Sequence, residues 1–201
     1  GKIYVLETDA NGEIQWYADQ ACTIKATIPE TLTGSADYYT QYVPVAKMKV
    51  TYDLDGGTWK GTEPAAAELY EGETYTVTSE EPEKQGYTFG GWKQKDTNNI
   101  YQANDTFAMP GSNVTLVAQW TARTDTAYTV KHYQQNVVGD DYTLVATEID
   151  KTGTTGEQTA ATAKSYLGFT AVLPITQKTI AADGSTVVEI YYDRNTYTVT
   201  Y

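Results

Sequence analysis

Gly86-Tyr87-Thr88-Phe89-Gly90-Gly91-Trp92 is answered further along by Val114-Thr115-Leu116-Val117-Ala118-Gln119-Trp120, with the two closing tryptophans 28 positions apart. Both segments belong to a stretch that opens at Lys49-Val50-Thr51-Tyr52-Asp53 and carries turn chemistry at Asp55-Gly56-Gly57. Alternating apolar positions at Val50, Tyr52 and Leu54 describe a strand with one face on a core. Glu73 to Ser79 alternates Thr with Tyr or Val and reads as a second strand, and Val114 to Trp120 reads as the last, after a turn at Met109-Pro110-Gly111-Ser112. Gly90-Gly91, set among Tyr87, Phe89 and Trp92, permits a bend or a close backbone approach under an aromatic lid. Helix signal is weak, with room for one short helix at Glu63 to Tyr70 or at Tyr101 to Phe107. The layout is that of a small β module with no obvious active site.

The opening pattern recurs along the chain. Met48-Lys49-Val50-Thr51-Tyr52, Tyr128-Thr129-Val130-Lys131-His132 and Tyr197-Thr198-Val199-Thr200-Tyr201 align on Val50, Val130 and Val199, at intervals of 80 and 69 residues. Such self-similarity marks tandem modules. It divides the chain into residues 1–47, a partial or degenerate copy or cap; 48–122, the first full module; 123–196, a second β module; and 197–201, the lead strand of a truncated further copy. In the first segment, Glu13-Ile14-Gln15-Trp16-Tyr17 and Asp37 to Val43 echo the two Trp segments, while Asp9-Ala10-Asn11-Gly12 offers the alternative of a simple hairpin cap. Arg123-Thr124-Asp125-Thr126 is a short polar junction that restricts relative motion of its neighbours. Beyond it, strands are expected at Tyr128–Tyr133, Tyr142–Ile149, Phe169–Leu173 and Val187–Tyr192, the last two joined by a tight hairpin at Ala182-Asp183-Gly184-Ser185. Thr154 to Ser165 reads as a short helix or a surface loop.

Composition agrees with a mainly β chain, α+β at most. Of 201 residues, 18 are Tyr and 4 are Trp, and Thr and Val fill the runs, side chains that suit a pleated, half-buried surface. The net charge of −12 argues against nucleic acid and against anionic membrane surfaces as partners. One Cys and one His exclude an internal disulfide and a zinc site of the usual kind. No apolar run approaches the ~20 residues that cross a bilayer, so no membrane insertion is expected in this fragment; no secretory signal is visible, and Gly1 opens directly on strand-like sequence. The piece reads as an excised or mature internal region.

Candidate chemistry is sparse. His132 lies on a predicted strand with no Ser, Cys or carboxylate at readable spacing, so it is taken as a cross-strand surface or interface side chain. Glu80-Glu81 and Asp140-Asp141 flank turn residues, where paired acids are usually solvated rather than catalytic. Asp53-x-Asp55-Gly56 resembles the start of a calcium loop but lacks the closing Glu, which favours a β-turn. Lys131, Glu148 and Asn195 occur in the order an internal Lys–Asn cross-link would need. Tyr87, Phe89, Trp92 and Trp120 are expected in the core, since small modules need large rings to bury enough area. Trp59, in a loop beside Gly57 and Gly61, is less easily buried. With Tyr70 or Tyr75 nearby it can stack on a sugar or a protein, so Trp59, Tyr70 and Tyr75 are the candidate ligand-binding residues, with loop packing the plainer alternative. No catalytic residue, metal ligand or cofactor is assigned.

Val50-Thr51-Tyr52-Asp53, Asp55-Gly56-Gly57, the Gly86-to-Trp92 segment and Leu116-Val117-Ala118-Gln119-Trp120 together resemble the Listeria–Bacteroides repeat, or internalin B-repeat, over residues 48–121. The resemblance implies a β-grasp, ubiquitin-like fold and a place in secreted, cell-wall-attached bacterial surface proteins. The chain departs from that pattern by a longer insertion from Trp59 to Tyr75. Residues 127–196 are similar, more loosely, to mucin-binding-protein-type repeats, through Tyr128 to Tyr133, Thr152-Gly153-Thr154-Thr155-Gly156, Tyr166-Leu167-Gly168-Phe169 and Ile190-Tyr191-Tyr192. No binding site is carried over from either. The expectation is a monomeric, extracellular, non-enzymatic repeat region of small β-grasp modules in an elongated arrangement, serving as a stalk or adhesion segment. Its partners would be a host glycoprotein, a glycan or an extracellular matrix protein. The alternative is a glycan- or protein-binding module, accessory to a secreted carbohydrate-active enzyme.

Overall fold

The computed structural model describes residues 4–10, 12–28 and 35–201. The Asn11 half of the Asn-Gly turn lies outside them; Gly12 takes φ +84° and its N–H donates to Asp9 O at 3.1 Å. The described residues are all-β, without a helix. In chain order the strands are β1 (Tyr4–Leu6), β2 (Trp16–Tyr17), β3 (Lys25–Ala26), β4 (Tyr42–Pro44), β5 (Met48–Asp53), β6 (Thr58–Trp59), β7 (Ala67–Leu69), β8 (Thr74–Thr76) and β9 (Pro82–Glu83). There follow β10 (Tyr87–Gln94), β11 (Ile100–Tyr101), β12 (Thr106–Ala108), β13 (Val114–Ala122), β14 (Thr126–Gln135), β15 (Tyr142–Gly153), β16 (Phe169–Ala171) and β17 (Val187–Arg194). Neither short helix expected in the first module exists, because β7 occupies one segment and β11 and β12 the other. The strand expected over Glu73 to Ser79 shortens to β8.

The chain forms two compact units. One comprises Gly1–Val50, Ala66–Tyr75 and Phe107–Val114. There β1 pairs with β4, β2 with β3, and the opening of β5 with β7, all antiparallel. Tyr17, only 3% exposed, anchors the N-terminal part: its main chain exchanges hydrogen bonds with Tyr39, and its hydroxyl donates to Glu7, which also accepts from Gln41 Nε2.

The second unit comprises Thr51–Ala65, Thr76–Thr106 and Thr115–Tyr201. In its first part β10 pairs antiparallel with β13, and a bulge shifts the register between Phe89↔Trp120 and Trp92↔Ala118. The bulge is the reason for the glycine pair. Strand side chains alternate faces, so residues 89 and 92 would point opposite ways on a regular strand. One extra residue puts both rings on the core face, where they meet at 5.0 Å. Gly91, at φ +115°, supplies the conformation that a Cβ resists.

In the second part the order β15-β14-β17-β16 places β14 and β17, the first and last strands, side by side and parallel at the centre. Period-two burial gives the core: Tyr128, Val130, Val188, Ile190 and Tyr192 from these two strands, closed by Ala161 and Ile180 from the connecting chain. A parallel pair needs a long crossover, and here it runs from β14 through β15 and β16 to β17; residues 154–168 within it are irregular chain, resolving the helix-or-loop alternative. The Asp183-Gly184 turn forms, with Gly184 at φ +74°, but it does not join β16 tightly to β17, since Phe169 pairs with Arg194 at the far end of β17.

The two parts meet at a seam of main-chain contacts. Arg123 N–H donates to Gly86 O and Thr155 N–H donates to Arg123 O, each at 2.9 Å. A Cβ on Gly86 would lie 2.8 Å from both Ala182 Cβ and Thr155 Oγ1, so only glycine lets the Lys84–Tyr87 turn nest there.

Candidate functional site

Trp59 is not on a loop. It pairs with Pro82 across β6 and β9, and its ring packs against Tyr52 at 5.5 Å and Trp92 at 5.4 Å. The ribbon of β6 with β9, two segments on either side of the insertion, half-buries the ring in the aromatic core. Tyr70 and Tyr75 belong to the other compact unit. There Lys47 Nζ stands 5.0 Å over the Tyr70 ring, and Tyr75 packs on Phe107 at 5.4 Å. Trp59 and Tyr75 thus pack on other rings, and Tyr70 on the Lys47 ammonium.

Trp120 has the more site-like setting. Its Nε1–H donates to Leu54 O at 3.0 Å, and a Cβ on Gly57 would come within 2.6 Å of its Cζ2, so the glycine seats the indole directly on backbone. Lys84 Nζ hydrogen-bonds Asp55 O at 2.7 Å and lies 5.0 Å from the Tyr87 centroid and 5.8 Å from that of Trp120. These groups line an open cleft of about 1000 Å³. The Asp55-Gly56 segment beside it is a turn, as expected: Asp55 takes φ 46°, Gly56 φ 80°, and Gly57 N–H donates to Leu54 O at 2.9 Å.

His132 overturns its sequence reading. It is fully buried, sharing the inward register of Tyr128 and Val130, and it does have a carboxylate partner. Its Nε2 lies 2.8 Å from Glu148 Oε1 and its Nδ1 2.8 Å from the Tyr192 hydroxyl. The Tyr192 oxygen also accepts Lys164 N–H at 2.8 Å, which leaves its own proton to donate to Nδ1. The network thus assigns the ring proton to Nε2, facing the carboxylate. Lys151 Nζ at 3.1 Å and Lys164 Nζ at 3.5 Å complete the shell around Glu148. The His132 hydrogen bond, opposed by burial and assisted by the two lysines, lowers the Glu148 carboxyl to about 2. Burial pushes the Tyr192 phenol up. The cluster fastens Lys164, on the crossover, to the sheet, and with His132 at 0% exposure no substrate touches the imidazole. The sequence signal is present only as order, Glu148 standing between Lys131 and Asn195. Asn195 does not join it, for it bonds Thr170 at 2.6 Å and Tyr197 at 3.4 Å.

The paired acids are surface groups in turns: Glu81 pairs with Lys60 at 3.0 Å, and Asp141 O accepts Asn136 N–H at 2.8 Å in the β14–β15 turn. Among the described residues no cluster of three or more His, Cys, Asp or Glu is placed to hold a metal, and no helix is long and apolar enough to cross a membrane.

Residues 49–119 match the family model of the Listeria-Bacteroides repeat domain. Among solved structures, domains 3-4 of the Streptococcal High Identity Repeats in Tandem (SHIRT) from a cell surface protein align at 18% identity with a TM-score of 0.26, covering 74% of this chain and 98% of that one. No curated protein matches the chain.

Proposed function

We propose that this chain is a repeat segment of a bacterial cell-surface protein, extracellular and non-enzymatic, whose modules space and present adhesive regions. The observation that carries the reading is the family match over residues 49–119, followed immediately by a second β module. The seam at Arg123 supports a spacer role, because its main chain is held by Gly86 on one side and Thr155 on the other. A joint made of backbone hydrogen bonds transmits orientation where a free linker would not. Attachment to the cell wall and a β-grasp relationship for both modules belong to the same proposal. Weak contacts to a host glycoprotein, glycan or matrix protein would gain along such an array through effective concentration. Small-angle scattering of the isolated chain tests the spacer role: an extended, monomeric profile supports it, and a compact or self-associated particle overturns it.

A further inference from the structure

The cleft beside Trp120 combines three features that the spacer role does not use. First, its aromatic wall is fixed before any ligand arrives. Trp120 is held by its bond to Leu54 O and by Gly57 beneath it, and Tyr87 follows directly from the Gly86 turn. Lys84 Nζ stands over both rings, so a ligand that stacks there takes the place of that ammonium on rings already ordered, which removes much of the entropy cost of binding. Second, the polar rim offers donors and acceptors side by side. Lys60 Nζ and Glu81 Oε2 stand 3.0 Å apart. The Arg123 guanidinium is held by two bonds of 2.8 and 2.7 Å to Asp125. Third, the charge of the lining runs against that of the chain. Lys60, Lys84 and Arg123 face Glu81 and Glu83 there, three cations to two anions, whereas the whole sequence has 14 bases and 26 acids.

These features select a ligand class. A purely apolar ligand would cover the ion pairs without replacing their hydration, which costs free energy. A polyanion would meet Glu81 and Glu83. A neutral pyranose fits both demands: its C–H face lies on an aromatic ring, and each hydroxyl donates and accepts, so adjacent hydroxyls can engage Lys60 and Glu81 together. The volume of about 1000 Å³ accommodates a short chain of such rings. We propose that the cleft framed by Trp120 and Tyr87 binds a short neutral oligosaccharide, with Lys60, Glu81 and Arg123 reading its hydroxyls. The inference goes beyond the spacer reading, and its failure leaves that reading standing.

The experiment is an NMR titration of the full 201-residue chain. The probes are three neutral oligosaccharides (glucose-, N-acetylglucosamine- and galactose-based), one uronate oligosaccharide and one sulfated one. The expected result is a saturable shift of the Trp120 indole N–H with at least one neutral probe, at a Kd on the order of 1 mM, little changed by salt. Lys60→Ala, on the open rim, should weaken binding at least fivefold, and Tyr87→Ala at least tenfold, with the dispersion of the remaining spectrum preserved. If Tyr87→Ala fails to fold, Lys60→Ala alone carries the test. No shift at Trp120 up to ~20 mM of every neutral probe overturns the proposal. So does binding confined to the anionic probes, binding that maps to other residues, or binding unaffected by Lys60→Ala.

Discussion

Phe89 and Trp92 lie edge to face at 5.0 Å although they stand three positions apart on one strand. Gly91 makes this possible, and a Cβ there would sit 2.5 Å from Gln102 Nε2 and 3.0 Å from Tyr101 O. Gly91→Ala should therefore lose about 2–3 kcal/mol in urea unfolding, from the φ of +115° and the clash together. Gly90→Ala, where the nearest atom to a Cβ is 3.5 Å away, should lose much less, and equal losses would contradict the bulge argument.

Trp59 serves as a test of core against surface. Packed on Tyr52 and Trp92, it should cost about 2–3 kcal/mol when changed to Ala, less than the 3–5 typical of a fully buried Trp. Near-neutral stability, measured by thermal melting with fluorescence detection, would restore Trp59 as an exposed contact residue.

Glu148 gives a pH signature. Its folded-state value, near 2, lies below the ordinary 4.5, so the stability it contributes is present above about 4.5 and is lost as pH falls towards 2. Glu148→Gln should cost roughly 1–3 kcal/mol at pH 7, a range already reduced because Lys151 and Lys164 are 40% and 44% exposed. The gap between variant and parent in chemical unfolding should close between pH 5 and about pH 2. A gap independent of pH would show that the carboxylate charge is not what His132 and the lysines hold.

Gly86→Ala targets the seam. A methyl group 2.8 Å from Ala182 Cβ must push the Lys84–Tyr87 turn away from the second module. Calorimetry should then show the coupled transition of the two modules broadening or splitting, with a loss of about 1–2 kcal/mol. Residual dipolar couplings, which report relative orientation, should change between the modules while staying constant within each. An unchanged set would remove Gly86 from the joint.

The sequence made the strands and the aromatic core legible because both are periodic or local. Val50 and Tyr52 follow alternation, and the Gly90-Gly91 pair among aromatics marks a bend, which the structure shows to be a bulge that turns Trp92 to the face of Phe89. What it hid depends on pairings between distant residues. Trp59 looked stranded because nothing local marks β6 as the partner of β9. The partner of His132 is hidden because Glu148 stands opposite Val130 and reaches His132 only diagonally, across a β14–β15 register that shifts between His132 and Tyr133. The Trp120 cleft was missed for a similar reason: Lys60, Lys84 and Arg123 approach it from three separate segments, and only Gly57 and Gly86 hinted that backbone passes close by.

The parallel pairing of β14 with β17 also sets how the second module bears load. A pull applied at Thr126 and Arg194 acts on the near end of one strand and the far end of its neighbour. The six registered positions from Thr129↔Val187 to Gln134↔Tyr192 are then sheared together instead of being peeled apart in turn. Rupture requires those ladder bonds to yield almost at once, with the crossover pinned by Lys164 and Tyr192 lying across them. Tension along the chain thus meets the sheet in its stiffest direction.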